Sequence, residues 1–363
     1  MHIAIDARII NSSTGRYVER LIHYLEGVDT ENRYTILVPT KDLDFYTPTN
    51  PNFTVKAADF ANFSFAEQIG FKKFLDKLSP DLVHFCMPQQ PLLYKGKKVT
   101  TFHDLTQLKT YNSDKNWLSY HAKQLVAYFA FWVAGRTNQL ILAPTEYTKN
   151  DLITTLGFKK EKIVLTYEAA DTITETALEP YDHPFKEYIL YVGQQSDYKN
   201  IARLGDAHQK LLETHPDLGL ILVGKINKAI EKNQQYFEKK GYKNIHFTGF
   251  IDDAQRDWLY KNARAYVFPS LMEGFGLPGL EAMGYGTPVV SSNATCLPEV
   301  YGEAAHYFNP LDVSDMARAI NDVLTDKTLS TRLSKKGKKQ IALYSWQRMA
   351  EQTHDAYLRA LSK

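Results

Sequence analysis

Short β-branched runs alternate with amphipathic stretches, and the whole alternation occurs twice along 363 residues. A strand that is apolar along its length needs cover on both faces, and helices between successive parallel strands supply it. In the first half the expected strands are His2 to Asp6, Tyr34 to Val38, Phe53 to Lys56, Leu82 to Phe85, Val99 to Phe102 and Gln139 to Ala143. A helix from Gly15 to Glu26 carries Val18, Leu21, Ile22 and Leu25 on one face at 3.6-residue spacing. The second half restarts with Tyr188 to Val192 and continues through Leu218 to Val223, Ile245 to Thr248, Ala265 to Phe268, Pro288 to Ser291 and His306 to Phe308. Between the halves, Thr172 to Glu187 holds Pro180 and Pro184 and little apolar periodicity, which marks a boundary. The expected domains are residues 1–178 and 179–343, with a C-terminal helix over 344–363 packing back on the first. Two doubly wound Rossmann-like α/β domains make an interdomain cleft the default ligand site.

With 44% hydrophobic and 23% charged residues, the chain has the composition of folded domains rather than of extended disorder. The 43 basic and 41 acidic residues leave a net charge of +2, so no field exists to condense the whole chain on nucleic acid. Cys86 and Cys296 lie far apart and outside any metal-ligand spacing, so neither a disulfide scaffold nor a structural zinc is expected. The apolar start, Met1 to Ile5, is too short for a secretory h-region and meets Asp6 at once. The run Leu125 to Gly135 covers about half of the ~20 residues a membrane span needs. It is read as a buried core helix, with contact to a membrane or a hydrophobic acceptor as the lesser alternative. Asp42-Leu43-Asp44 is read as a solvated loop rather than a metal site, and Lys335 to Lys339 as a solvated helix end.

Chemistry concentrates after the strand Ala265 to Phe268, in Ser270-Leu271-Met272-Glu273-Gly274-Phe275-Gly276-Leu277-Pro278-Gly279-Leu280-Glu281. A strand, a glycine-rich turn and a helix can hold a phosphate. Gly274 and Gly276 let the backbone approach a ligand, Pro278 suits the first helical turn, and the amides there offer positive partial charge. Glu273 and Glu281 bracket this anion site as acceptors for sugar and ribose hydroxyls. Lys199 lies in a second strand–loop–helix unit, where a cation can pair with a phosphate.

The stretch from Glu273 to Glu281 resembles the Glu-x7-Glu signature of the retaining nucleotide-sugar glycosyltransferases of family 4, which have the two-Rossmann GT-B fold. Thr248 to Ile251, Tyr266 to Ser270, Gly286 to Val290 and Leu297 to Val300 are similar to that family's second domain. Thr101 to Leu105 and Pro144 to Thr148 are similar to its acceptor-side signatures. The resemblance implies that Glu273 contacts the transferred sugar and donor phosphates, Glu281 the ribose, and the amides of Phe275, Gly276 and Leu277 the sugar hydroxyls and diphosphate. Ile251 is then near the base and His103 faces the sugar. Two departures stand out. Where the family commonly has Arg-Lys, this chain has Tyr198-Lys199, so Lys225 or Arg16 is an alternative source of the second cation. Where relatives carry a double glycine, this chain has Ser12-Ser13-Thr14 before Gly15, which opens its helix toward a phosphate or is simply capped by Ser13 or Thr14.

The resulting expectation is a cytoplasmic, retaining, metal-independent hexosyltransferase. Its donor is a nucleotide sugar such as GDP-mannose or UDP-glucose, and its acceptor a glycan or lipid-linked saccharide, with at most weak peripheral contact at the inner face of the membrane. No cofactor is expected. A nucleotide-sugar epimerase or hydrolase and a non-catalytic nucleotide-sugar-binding protein are the alternatives. A nicotinamide dehydrogenase fits poorly, because no Gly-x-Gly-x-x-Gly follows the first strand of either half.

Overall fold

In a computed structural model describing residues 1–12, 14–110, 117–171 and 178–362, the chain forms two α/β units. The first comprises Met1–Glu168 and Ser345–Lys363, the second Ala169–Tyr344. The first boundary thus falls upstream of the expected 178/179, and residues 172–177 of the expected linker lie outside the described residues.

The first unit is built on a seven-stranded parallel sheet of β1 (His2–Asp6), β2 (Arg33–Val38), β3 (Phe53–Ala57), β4 (Leu82–Phe85), β5 (Lys98–Thr101), β6 (Leu140–Ala143) and β7 (Ile163–Leu165). Their order is β3-β2-β1-β4-β5-β6-β7. Only three residues long and at the sheet edge, β7 is too short to leave a periodic signal, and the sequence reading passes over it. The second unit holds six parallel strands, β8 (Glu187–Val192), β9 (Leu218–Val223), β10 (Ile245–Gly249), β11 (Ala265–Phe268), β12 (Val289–Ser292) and β13 (Ala305–Phe308), in the order β10-β9-β8-β11-β12-β13. Full burial along β1, β4 and β9 follows from helices covering both faces. In each sheet the winding reverses between two neighbours, β1 and β4 in the first and β8 and β11 in the second. Loops leaving such a pair diverge to opposite faces and open a crevice at the strands' carboxyl ends.

The C-terminal helix Trp346–Leu361 belongs to the first unit and packs on the helix Gly15–Val28. It buries Met349, Ala350, Thr353, Ala356, Tyr357 and Ala360 at helical spacing. Its anchor is polar: the Tyr357 hydroxyl lies 2.6 Å from His84 Nδ1, and His84 Nε2 lies 2.9 Å from Thr101 Oγ1. Burial, reinforced by the nearby charge of His103, lowers the His84 pKa to about 3, so this ring is neutral and bridges two hydroxyls.

At the end of β1, Arg8 lies between two buried carboxylates, with Nη2 2.7 Å from Asp6 Oδ2 and 2.9 Å from Glu67 Oε1. Its Nη1 donates to the Phe60 carbonyl oxygen at 2.6 Å. One guanidinium therefore fixes the segment after β3 against the tip of β1.

Two expectations are corrected. The run Leu125 to Gly135 does lie in a helix, Trp117–Thr137, but is not a buried core helix: Leu125 is 72% exposed, Val126 66% and Phe129 59%. Among the described residues it packs through Ala127, Phe131, Ala134 and Gly135, with Phe102 and Phe158 filling the space beneath it. Nor is Asp42 solvated. It is buried and accepts a hydrogen bond from Asn11 Nδ2 at 3.0 Å, which makes it a brace between two loops. The basic run lies in the helix Lys327–Ile341, where Lys335, Lys338 and Lys339 are exposed and Lys336 pairs with Glu303.

Replacing Arg8 by Met leaves Asp6 and Glu67 facing each other without a counter-charge. The expected cost is roughly 3–5 kcal/mol, read as a lowered urea midpoint. An unchanged midpoint would contradict the bracing role.

Candidate active site

In the second unit the site grows from the neighbouring strands β8 and β11, whose following loops carry Lys199 and Glu273. The two residues are 74 positions apart, yet Lys199 Nζ donates to Glu273 Oε1 at 2.6 Å. Their side chains are only 15% and 11% exposed, so water screens the pair weakly. Around it the loops are fixed backbone to backbone and side chain to backbone. Leu271 N donates to the Tyr198 carbonyl at 2.8 Å, and Glu273 N donates to Thr295 Oγ1 at 3.2 Å. Asn200, left-handed at φ 64°, donates from its buried amide to the Pro269 and Pro310 carbonyls. Asparagine tolerates that backbone region better than most residues, and here its side chain ties the β8 loop to β11. Sequence reading passed over Asn200; the signal was an amide directly before a helix and next to Lys199.

The departure at Tyr198 has a structural counterpart. The Lys199 ammonium sits 5.1 Å from the Tyr198 ring centroid and 5.6 Å from that of Phe268, so aromatic faces flank the cation.

After Glu273 the turn is buried through Gly274, Phe275 and Gly276. Phe275 places its ring edge-on to Tyr344, with centroids 5.4 Å apart. Gly276 has φ 98°, and a Cβ there would lie 2.6 Å from the Tyr301 hydroxyl oxygen. The glycine is thus required by the turn's own backbone and by Tyr301, whose hydroxyl donates to the Gly276 carbonyl at 2.5 Å. The helix Leu277–Gly284 then starts with Pro278 in its first turn and with no side-chain cap. Glu281, half-buried on this helix, accepts a hydrogen bond from the Tyr260 hydroxyl at 3.1 Å. Ile251 is half-buried just after β10, and Lys225 is exposed just after β9. The doubly wound order therefore brings Lys199 and Glu273 into contact and sets Glu281 on the helix that follows.

His103 and Gly15 belong to the first unit. His103 follows β5, with Nε2 3.0 Å from the Cys86 carbonyl oxygen and Nδ1 3.2 Å from Glu168 Oε1. Neither partner carries a proton to give, so the protonated ring, which donates from both nitrogens, is the form that satisfies both. Burial opposes that charge, but the Glu168 hydrogen bond and carboxylate outweigh it and raise the His103 pKa above its ordinary value. Tyr17 closes the third side, edge-on at 4.6 Å, and its hydroxyl lies 2.8 Å from Thr101 Oγ1. Glu168 left no sequence signal, because it lies outside any strand or helix pattern and meets His103 only through the fold. Gly15 is buried, and a Cβ there would fall 1.8 Å from the Ile10 carbonyl oxygen, so close backbone approach dictates the glycine. Thr14 is the N-cap but makes no side-chain cap bond; Ser13 lies outside the described residues.

Among the described residues no group of three or more His, Cys, Asp and Glu side chains is placed to hold a metal ion.

Glu168→Gln removes the charge that holds the His103 ring protonated, so NMR titration of the His103 ring is expected to move to lower pH. In the wild type the raised value means that the pair stabilises the fold fully below about pH 6.5, the ordinary histidine value. That contribution is lost as pH rises through the folded-state value. A His103→Asn variant should therefore lose more melting temperature at pH 5.5 than at pH 8.5; equal losses would contradict the charged ring.

Residues 179–340 match the family description "Glycosyl transferases group 1", and residues 14–173 match "Glycosyltransferase Family 4". The chain is 33% identical to the O-antigen chain mannosyltransferase B of Escherichia coli over 72% of its own length and 70% of that protein's. It is 30% identical to the serotype-specific mannosyltransferase WbdA of Escherichia coli over 73% of its length, but spans only 34% of that relative. The sucrose-phosphate synthase structure from Thermosynechococcus elongatus aligns with TM-score 0.80 at 18% identity, covering 100% of this chain and 99% of that one. With two parallel, doubly wound sheets, a site at a strand-order reversal and these matches, the chain belongs to the family 4 glycosyltransferases of GT-B fold.

Proposed function

We propose that this glycosyltransferase moves a hexose from a nucleoside-diphosphate sugar to a hydroxyl of a glycan or lipid-linked saccharide, with retention of anomeric configuration and without a metal. The observation that carries the reading is the Lys199–Glu273 pair at the β8/β11 reversal, next to the uncapped helix that bears Glu281. A lone carboxylate beside a diphosphate would repel it. With Lys199 bridging, Glu273 accepts sugar hydroxyls while the ammonium and the first-turn amides face the phosphates. Mannose from GDP-mannose is the leading donor, since two relatives are named mannosyltransferases; glucose from UDP-glucose is next.

In the proposed step the bond from the anomeric carbon to the diphosphate oxygen breaks as the acceptor oxygen bonds to the same face. The acceptor proton passes to the departing diphosphate. Products are the glycoside and the nucleoside diphosphate, and no protein base is needed. Lys199 stabilises the charge that builds on the leaving group. Glu281 holds the ribose, Ile251 lies beside the base, and Lys225 and the amides of Gly274, Phe275, Gly276 and Leu277 contribute to donor binding, with Gly15 as a further donor contact. His103, its ring nitrogens engaged by Cys86 and Glu168, is a further contact for the sugar. A cytoplasmic setting at the inner face of a membrane fits a lipid-linked acceptor.

A thermal-shift panel of nucleotide sugars identifies the donor, because a ligand of the native state raises the melting temperature. Glu273→Gln is expected to lower kcat about a hundredfold or more with the fold intact, and Glu281→Ala to weaken donor binding by calorimetry. Lys199→Met, which leaves Glu273 uncompensated, should weaken donor binding about ten- to a hundredfold. Full turnover in Glu273→Gln, or no shift with any nucleotide sugar, would refute the assignment. Loss of activity in EDTA would refute metal independence, and an inverted product anomer would refute retention.

A further inference from the structure

Past the carboxyl ends of β1, β2 and β3 the first unit holds a cavity of about 760 Å³, whose walls include Arg8, Thr40, Lys41, Asp59, Phe60 and Asn62. Doubly wound sheets bind ligands at this end of their strands. The cavity is set well to one side of His103. From β5, which His103 follows, it is three to four strands away, roughly 14–19 Å at about 4.8 Å per strand. Its walls are held from several directions. Asp59 accepts from Thr40 N at 2.8 Å and also from the Thr40 hydroxyl, which joins the loop after β3 to the loop after β2. The Phe60 ring stacks on Phe71 with centroids 5.2 Å apart, and Gly70 leaves it room, since a Cβ there would lie 2.8 Å from that ring.

Asn62 leads directly into two aromatic side chains that the fold leaves open, Phe63 at 52% and Phe65 at 87% exposure. Phe63 has φ 58°, a left-handed backbone that bulky side chains seldom adopt. Its amide donates to Glu67 Oε2 at 2.8 Å, and Glu67 Oε1 is paired with Arg8, so the brace at the tip of β1 reaches the rim of the cavity. The turn that follows, Ala66–Phe71, is π-helical, a rare form. Gln68 fastens it to the loop after β4 by donating to the Gln90 carbonyl at 3.1 Å and accepting from Leu92 N at 2.9 Å. A strained backbone and exposed rings both lower stability, and rings in water recover little of it by burial.

The chemistry of the cavity selects an uncharged, hydroxyl-rich ligand. Arg8 is already answered by Asp6 and Glu67, and Lys41 and Asp59 are opposite in sign, so no excess positive charge is held there for a phosphate. Lys41, Asp59, Thr40 and Asn62 offer donors and acceptors together, as neighbouring hydroxyls require. Aromatic faces carry negative potential and attract the polarised C–H groups of a pyranose ring. An acyl chain would instead have to desolvate the lysine and the two acidic oxygens.

We propose that this cavity is a remote saccharide subsite. It holds a hexose unit of the acceptor glycan several units behind the end that is extended, with Lys41, Asp59 and Asn62 bonding its hydroxyls and the Phe63 and Phe65 rings lying against its C–H faces. The inference rests on the reading of the chain as a glycan-extending transferase, and it adds that the enzyme grips a long acceptor away from the reacting hydroxyl.

The test is isothermal titration calorimetry of the full chain, without nucleotide, against the monosaccharides and the α-linked hexasaccharides of mannose, glucose and galactose. At least one hexasaccharide is expected to bind about tenfold or more tightly than its monosaccharide. Phe65→Ser with Asn62→Ala, both at exposed positions, should lower that affinity about tenfold and leave the melting temperature unchanged. Phe63→Gly relieves the left-handed backbone, so it should raise the melting temperature while weakening hexasaccharide binding, a combination that a purely structural role would not give. No preference for any hexasaccharide, or wild-type affinity in Phe65→Ser with Asn62→Ala, would overturn the proposal. The melting shift with nucleotide sugars is read on the same proteins and should keep its wild-type size. If that shift is present and hexasaccharides do not bind, the subsite alone fails; if hexasaccharides bind and no nucleotide sugar shifts the wild type, the transfer reading fails and the saccharide subsite stands.

Discussion

The contact between Lys199 and Glu273 condenses the logic of the second unit. The ammonium and the carboxylate, poorly exposed and 2.6 Å apart, come from loops separated by 74 residues. They meet because β8 and β11 are neighbours in a sheet whose winding reverses there. The strands are held by fully buried ladders, and Asn200, Leu271 and Thr295 hold the loops to them. A flexible pair of this kind in water would contribute little. Fixed on rigid elements, it places a positive and a negative group at defined points beside the helix Leu277–Gly284.

The first unit applies the same principle with other groups. Arg8 between Asp6 and Glu67 sets the crevice edge at β1, and the polar series Tyr357, His84, Thr101 and Tyr17 runs from the C-terminal helix to the ring of His103. His84 and His103 show how burial alone fails to decide a histidine's charge. Both are enclosed, but His84 meets two hydroxyls and has its pKa lowered, whereas His103 meets a carboxylate and a carbonyl and has its pKa raised. The C-terminal helix is accordingly part of the scaffold behind His103 and does more than cover the sheet.

Much of the fold was legible because its signals are local. Strands such as Leu218–Val223 are uninterrupted apolar runs, and helices such as Gly15–Val28 carry one apolar stripe, so their order and type follow from periodicity. Legibility failed where a partner distant in sequence decides. Asp42 has the appearance of a loop acid but is buried against Asn11, and Glu168 has no pattern until the fold sets it beside His103. The run Leu125 to Gly135 reads as core on composition alone. Whether such a helix is enclosed depends on how much space Phe102, Phe131 and Phe158 leave beneath it, and that is a property of packing.

The sequence by itself determined two doubly wound α/β domains, the glycine turn between Glu273 and Glu281, and the family to which these belong, because strand runs, helix stripes and turn residues act over a few positions. The tertiary structure alone decided that Lys199 is bound to Glu273, that Glu168 raises the His103 pKa, that Gly15 and Gly276 answer to Ile10 and Tyr301, and that one apolar helix face is left open. Each of these depends on a distance between elements far apart along the chain, and such distances are set only when the sheets assemble.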